Sequence, residues 1–209
     1  MDKWSVKLGK VNSNTLYAGL CLLVAAVISV VYSEQIHKDP ILKRDDVLLI
    51  LPLKPATTIS KYVDDVASNA ILDFQPVRDL SFILDIKFIE ISGLSSFHAT
   101  NAVIFLGVLF VLFKLLEALG FSKNQVVCSG LLFAVHPIMV SSIGWISARK
   151  HTLALFFLLL SLLSFVKHKN ITKTAIFLYV VSILSHQIFI LFPLWLFVYS
   201  HVKKIKIKL

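Results

Sequence analysis

The sequence predicts an all-α, polytopic membrane protein with about six transmembrane helices, five in the alternative reading, and a long first outer loop that contains interfacial helices. Three observations predict it. Of the 209 residues, 57% are hydrophobic and 16% charged, with a mean hydropathy of +0.82; that is far more apolar than a soluble domain and excludes a cytosolic globular enzyme. Five stretches carry no Asp, Glu, Lys or Arg: Val11 to Ser33, Ile91 to Phe113, Asn124 to Ala148, His151 to Val166, and Thr174 to Val202. Runs of that length need lipid around them. Finally, the charges are segregated. Ten of the twelve acids lie between Glu34 and Glu90, where seven basic residues accompany them, while the other basic residues sit in short clusters between apolar runs. Cytoplasmic loops carry such clusters, so the net charge of +9 reads as membrane orientation. Nucleic acid is not an expected partner, because no basic face with interleaved aromatics exists to bind it.

Residues 1–33 read as a cytoplasmic N-terminus and the first span. Lys3, Lys7 and Lys10 precede an uncharged run from Thr15 to Tyr32, longer than a usual signal-peptide core, which makes it a signal anchor with its N-terminus inside. A cleaved signal peptide, tolerated by Val31 and Ser33, is the alternative. The expected setting is a bacterial inner membrane.

Residues 34–97 form an acidic, non-cytoplasmic loop punctuated by Pro40, Pro52, Pro55 and Pro76. Within it Ile59, Tyr62, Val63, Val66, Ala70 and Ile71 recur every three to four residues, as on an amphipathic helix lying at the interface. Leu80, Phe82, Leu84, Ile86 and Phe88 alternate like a strand, yet Leu80, Leu84 and Phe88 also fit a helix, so periodicity leaves that segment open.

Residues 98–202 form the helix bundle. A second span runs from His98 to about Leu116 and returns to the cytoplasm at Lys114, Glu117 and Lys123; a third, Gln125 to about Val140, goes out again near His136 and Pro137. A short outer loop, Ser141 to Lys150, precedes a fourth span from Thr152 to Val166, and Lys167, Lys169 and Lys173 mark an inner loop. Thr174 to Ser200 is long enough to cross once with tilt, which gives five spans. Two short helices turning at Ser185, His186 and Gln187 give six and return the basic tail, residues 203–209, to the cytoplasm, and this hairpin is the favoured reading.

Cys21 and Cys128 both fall in apolar runs and read as small buried hydrophobes. The Asn170-Ile171-Thr172 sequon lies in an inner loop, where glycosylation is not expected.

This topology gathers the groups that could do chemistry onto one side of the membrane. Eight aspartates of the first loop are there, with Arg149, Lys150, His98, His136, His151 and His186. Carboxylates above a basic outer loop suit a polar acceptor and an anionic, lipid-linked phosphate, although a solvated loop that merely stays out of the lipid has the same composition. Arg149 and Lys150 go against the charge bias of every other loop, which weighs a phosphate contact equally with simple headgroup anchoring. The histidine spacing matches no metal-ligand motif, so no metal site is assigned.

Three segments carry a resemblance. LLFAVHPIMVSSIGWISARKHTLALFFLLLSLLSF, Leu131 to Phe165, resembles the characteristic stretch of the transmembrane O-mannosyltransferase group and its bacterial relatives with tetratricopeptide repeats, which are GT-C type glycosyltransferases. QPVRDLSFILDIKF and FHATNAVIF, Gln75 to Phe88 and Phe97 to Phe105, resemble the part leading into that family's second span, and SILSHQIFILFPLWLFVYS, Ser182 to Ser200, is similar to its later hairpin. The resemblance implies sugar transfer from a polyprenyl-phosphate donor to an acceptor on the non-cytoplasmic side. It implies Asp45 and Asp46 as the acidic pair supplying the catalytic base, and Arg149 as the contact to the departing phosphate. Lys150, His136 and His151 complete the expected substrate-binding set.

The chain departs from the family at Ser141, where Glu is usual, at His151, where Asp is usual, at Ser185-His186, where Ser-Lys is usual, and at Gln75, where Arg precedes the Pro. The second expectation is therefore a non-catalytic membrane protein of the same fold that acts as a partner or assembly subunit. Expected partners are the lipid bilayer, the lipid-linked sugar donor and a second membrane chain; the cofactor is left open, a divalent cation being one option.

Overall fold

In a computed structural model the described residues are 12–31, 33, 50, 53, 59–67, 74–93, 96–194 and 196–197. Their regular structure is helical throughout: α1 (Ser13–Val31), α2 (Ile59–Ala67), α3 (Pro76–Ser92), α4 (Phe97–Ala118), α5 (Lys123–Val135), α6 (Pro137–Gly144), α7 (Arg149–His168) and α8 (Lys173–Ser185), with 3-10 turns at Ile146–Ala148 and Gln187–Phe189. Three helical segments are long and apolar enough to cross a membrane, namely Ser13–Val31, Phe97–Ala118 and Ile146–His168, and α8 is a shorter apolar helix. The chain is an all-α membrane protein.

Helix directions follow from a few contacts. Lys114 Nζ donates to Asn14 Oδ1, so α1 begins where α4 ends. Ile28 near the end of α1 packs in one cluster with Ala102 and Phe105 near the start of α4. These two helices are antiparallel. Arg149 at the start of α7 donates to the Phe97 carbonyl at the start of α4, so α4 and α7 run parallel. α8 returns antiparallel to α7: Ser161 Oγ donates to Ala175 O, and Ser182 Oγ to Ala154 O. One end of the bundle therefore holds Asn14, Lys114, Lys123 and the loop with Lys167, Lys169 and Lys173. The other holds the starts of α4 and α7 and the end of α8.

The bundle core is apolar and closely fitted. Val108, Val111 and Leu115 of α4 pack on Leu159 and Leu163 of α7. Tyr17 stacks on Phe113 at 5.1 Å between ring centroids. Gly130 of α5 faces the same Phe113, and a Cβ there would overlap its ring; glycine lets α5 approach α4 at that point.

The third apolar run does not make one straight helix. α5 stops at Val135, His136 adopts an extended backbone (φ −64°, ψ 131°), and α6 starts at Pro137. Proline has no N–H to continue the ladder and its ring clashes with the preceding turn. The segment expected as an outer loop, Ser141 to Lys150, is instead the end of α6, a 3-10 turn and the first residues of α7.

The alternating segment of the first loop is a helix. α3 has Pro76 in its first turn and closes on Gly93 in the left-handed region (φ 69°), whose N–H donates to the Ile89 carbonyl at 2.8 Å. Phe82 and Ile86 of α3, Tyr62 of α2, Phe97 and Ile146 form a second core. The first loop is thus packed onto the bundle through α3. Of the residues expected on the interfacial helix, Ile59 to Val66 lie on α2, while Ala70 and Ile71 fall outside the described residues.

Thr174 to Ser200 is not one helix. α8 ends at Ser185, His186 is extended, and a 3-10 turn follows. Tyr179 Oη donates to the carbonyls of Phe189 and Ile190, which brings the segment after the turn back beside α8.

Candidate functional site at one end of the bundle

The starts of α4 and α7 and the buried face of α3 meet in a knot of polar side chains. Its centre is Arg149, fully buried. Its Nη2 lies 2.6 Å from Asp85 Oδ2 of α3. Nε donates to Asn101 Oδ1 at 2.6 Å, Nη2 to the Phe97 carbonyl at 2.9 Å, and Nη1 to the carbonyl and hydroxyl of Ser81 at 3.2 and 3.3 Å. The guanidinium also lies 4.5 Å from the centroid of the Phe82 ring, an arrangement that a planar delocalised cation favours.

Asp85 divides its two oxygens. Oδ2 makes the ion pair without hydrogen-bond alignment, whereas Oδ1 accepts from Thr100 Oγ1 at 2.6 Å and Ser96 Oγ at 3.0 Å. Asn101 passes the network on, donating from Nδ2 to the carbonyls of Trp145 and Ile146. His98 Nδ1 lies 3.1 Å from the Ile143 carbonyl and donates to it, since a carbonyl only accepts. The backbone between α6 and α7 is irregular there, and these side chains satisfy its carbonyls.

A second buried pair lies on α3. Arg78 Nε and Nη2 both reach Asp79 Oδ1 at 2.7 Å, and Tyr62 Oη donates to Asp79 Oδ2 at 2.8 Å, which ties α2 to α3.

The expected site residues divide as follows. Arg149 is in the knot, with donors on Nε, Nη1 and Nη2 taken by protein acceptors. Lys150 is next to it and half-buried. His151 is exposed on the first turn of α7, and its ring lies 4.5 Å from that of His186 at the end of α8. His136 is exposed and caps the C-terminus of α5. Asp45 and Asp46 lie outside the described residues. Among the described residues, no three His, Cys, Asp or Glu side chains come together.

Nothing in the sequence alone singles out Ser96, Thr100 or Asn101, and Asp79 and Asp85 stand there as two of the eight aspartates of the first loop. A signal existed: Arg78, Asp79, Phe82, Asp85 and Ile86 occupy one helical face of α3, and charges placed on an apolar stripe have to be paired in the interior.

Comparison with known proteins is sparse. No family model and no solved structure matches the chain. A protein O-mannosyl-transferase of Caenorhabditis elegans is 30% identical over 124 residues, which is 58% of this chain and 18% of that protein. The chain thus spans less than a fifth of the length of the relative it matches.

Proposed function

We propose that the chain is a glycosyltransferase-like membrane protein that transfers a sugar from a polyprenyl-phosphate donor to an acceptor on the non-cytoplasmic side. The observation that carries this reading is its 30% identity over 124 residues to a protein O-mannosyl-transferase, which makes mannose the first sugar to test. Orientation is supported by the helix directions. Lys114, Lys123, Lys167, Lys169 and Lys173 share one end with Asn14, and such an end faces the cytoplasm. The Arg149 knot and the first loop then face outward.

In this reading Asp45 or Asp46 takes the proton of the acceptor hydroxyl. Arg149, enclosed by Asp85, Asn101 and backbone carbonyls, positions the start of α7. Contact with the departing phosphate falls to the adjoining Lys150, with His151 and His136 completing the binding surface. The test is turnover of a polyprenyl-phosphate-linked mannose by the purified chain. Asp46→Asn in the folded protein is expected to abolish it, and unchanged turnover in that variant removes the assignment.

A second reading, a non-catalytic subunit of the same fold, is favoured by the replaced charges at Ser141, His151 and His186 and by the enclosure of Arg149. It predicts a stable complex with a second membrane chain and no sugar transfer by this chain alone.

A further inference from the structure

The chain turns back on itself after α8, and one side chain shapes the turn. His186 has an extended backbone (φ −167°, ψ 136°), and its Nδ1 accepts from the Ile188 backbone N–H at 3.1 Å, which caps the Gln187–Phe189 turn. A backbone N–H can only donate, so the Nδ1 lone pair is committed to the cap, the ring proton sits on Nε2 and the ring is uncharged. An imidazolium has N–H on both nitrogens and accepts nothing. The capped turn and a protonated His186 therefore exclude one another.

The neighbouring side chains add to that conflict. The His186 ring lies 4.5 Å from the ring of His151 in the first turn of α7, so a charge on either imidazole opposes a charge on the other. Lys150 is a further cation acting on His151. The described acids of the elements packed on α7 and α8 are engaged elsewhere or exposed: Asp85 meets Arg149, Asp79 meets Arg78, Glu117 meets Lys114 at the far end of α4, and Glu90 of α3 is exposed. Lys87 of α3 is exposed as well, Lys167 and Lys173 lie at the opposite end of α7 and α8, and His98 is held by the Ile143 carbonyl. α6 and the Gln187–Phe189 turn contain no ionisable side chain. His151 is exposed and His186 half-buried, so both are within reach of protons from water.

The other end of the turn is fixed differently. Tyr179 Oη donates to the carbonyls of Phe189 and Ile190, and a phenol keeps its proton up to a pH of about 10. The turn is thus held by one contact that titrates near neutrality and one that does not. Ile188 and Phe189 also form part of the wall of a cavity of about 270 Å³, which His151 lines from the side of α7.

We propose that His186, with His151 against it, is a pH-sensitive latch on this cavity. Neutral, it holds the Gln187–Phe189 turn in place as a wall; when a proton adds to Nδ1, the Ile188 N–H passes to water, and the freed end of the turn swings about the Tyr179 tether and opens the cavity. The latch does not depend on what the chain binds or transfers.

The experiment uses the full chain in phospholipid nanodiscs, with Cys21→Ala, Cys128→Ala and a nitroxide on Gln187→Cys, an exposed position on the turn. The spin label is expected to be immobilised at about pH 8, with a mobile component that grows at least about fivefold by about pH 5, across the imidazole range. His186→Asn, whose side-chain oxygen accepts the same N–H without titrating, is expected to stay immobilised at both values. His186→Ala is expected to be mobile at both. His151→Asn is expected to keep the response with its midpoint moved to higher pH, because the opposing ring is gone; it carries the test if neither His186 variant runs as a monodisperse peak. A label on Ile176→Cys, on the exposed face of α8, is expected to show no change. Equal mobility at both pH values in the parent, a response that survives in His186→Asn, an unmoved midpoint in His151→Asn, or parallel mobilisation at Ile176 overturns the latch.

Discussion

The carboxylate of Asp85 and the guanidinium of Arg149, on helices far apart in the chain, lie 2.6 Å apart and are both buried. The pair attaches the first loop to the membrane bundle: α3 supplies the acid, α7 the base, and α4 the Phe97 carbonyl and Asn101 amide around them.

Breaking that pair from one side leaves a charge in the interior. Asp85→Asn is expected to destabilise the fold by about 3 to 5 kcal/mol, because the Arg149 cation loses its counter-ion while remaining enclosed. Asp85→Asn combined with Arg149→Met removes both charges and should recover a large part of that loss. Tryptophan fluorescence during thermal unfolding in micelles checks it; a single variant as stable as the parent refutes the pairing.

Gly130 offers a packing prediction. Gly130→Ala places a methyl group against the ring of Phe113, which is held by its stack on Tyr17. Overpacking of this kind costs about 1 to 3 kcal/mol. Phe113→Leu in the same chain should relieve the overlap, so the double variant is expected to lose less than the two single losses added together. Strict additivity in a double-mutant cycle would contradict the contact.

Topology is accessible by thiol labelling. In a chain with Cys21→Ala and Cys128→Ala, Ser92→Cys at the end of α3 should react with an impermeant maleimide added to intact cells. Asn170→Cys, in the exposed turn between α7 and α8, should react only after permeabilisation. The reverse pattern inverts the orientation and with it the proposed side of transfer.

The three long spans were legible because unbroken hydrophobicity is a local property: α1, α4 and α7 fall within a few residues of the apolar runs that announced them. α3 was ambiguous by periodicity, yet Pro76 and Gly93 flank it as helix start and stop signals, and that punctuation decides the matter where alternation does not. The break between α5 and α6 was half visible: His136-Pro137 marked the end of a span, but the helical turns that follow read as loop because they are short. The Arg149 knot was the least legible. Arg149 itself stands out as a cation against the charge bias, whereas its partner is one of ten acids between Glu34 and Glu90, and the apolar stripe that sets Asp85 apart shows only once α3 is read as a helix. Pairing across the bundle is a property of the fold and leaves no mark on adjacent residues.

Ribosomes deliver Asp85 before Arg149. At 5 to 20 residues per second, roughly 3 to 13 s separate the two during synthesis. Throughout that interval α3 has an acid on its inward stripe and no cation to meet it, so the nascent first loop has to wait in an aqueous or interfacial setting. Closure of the Asp85–Arg149 pair therefore has to wait for α7.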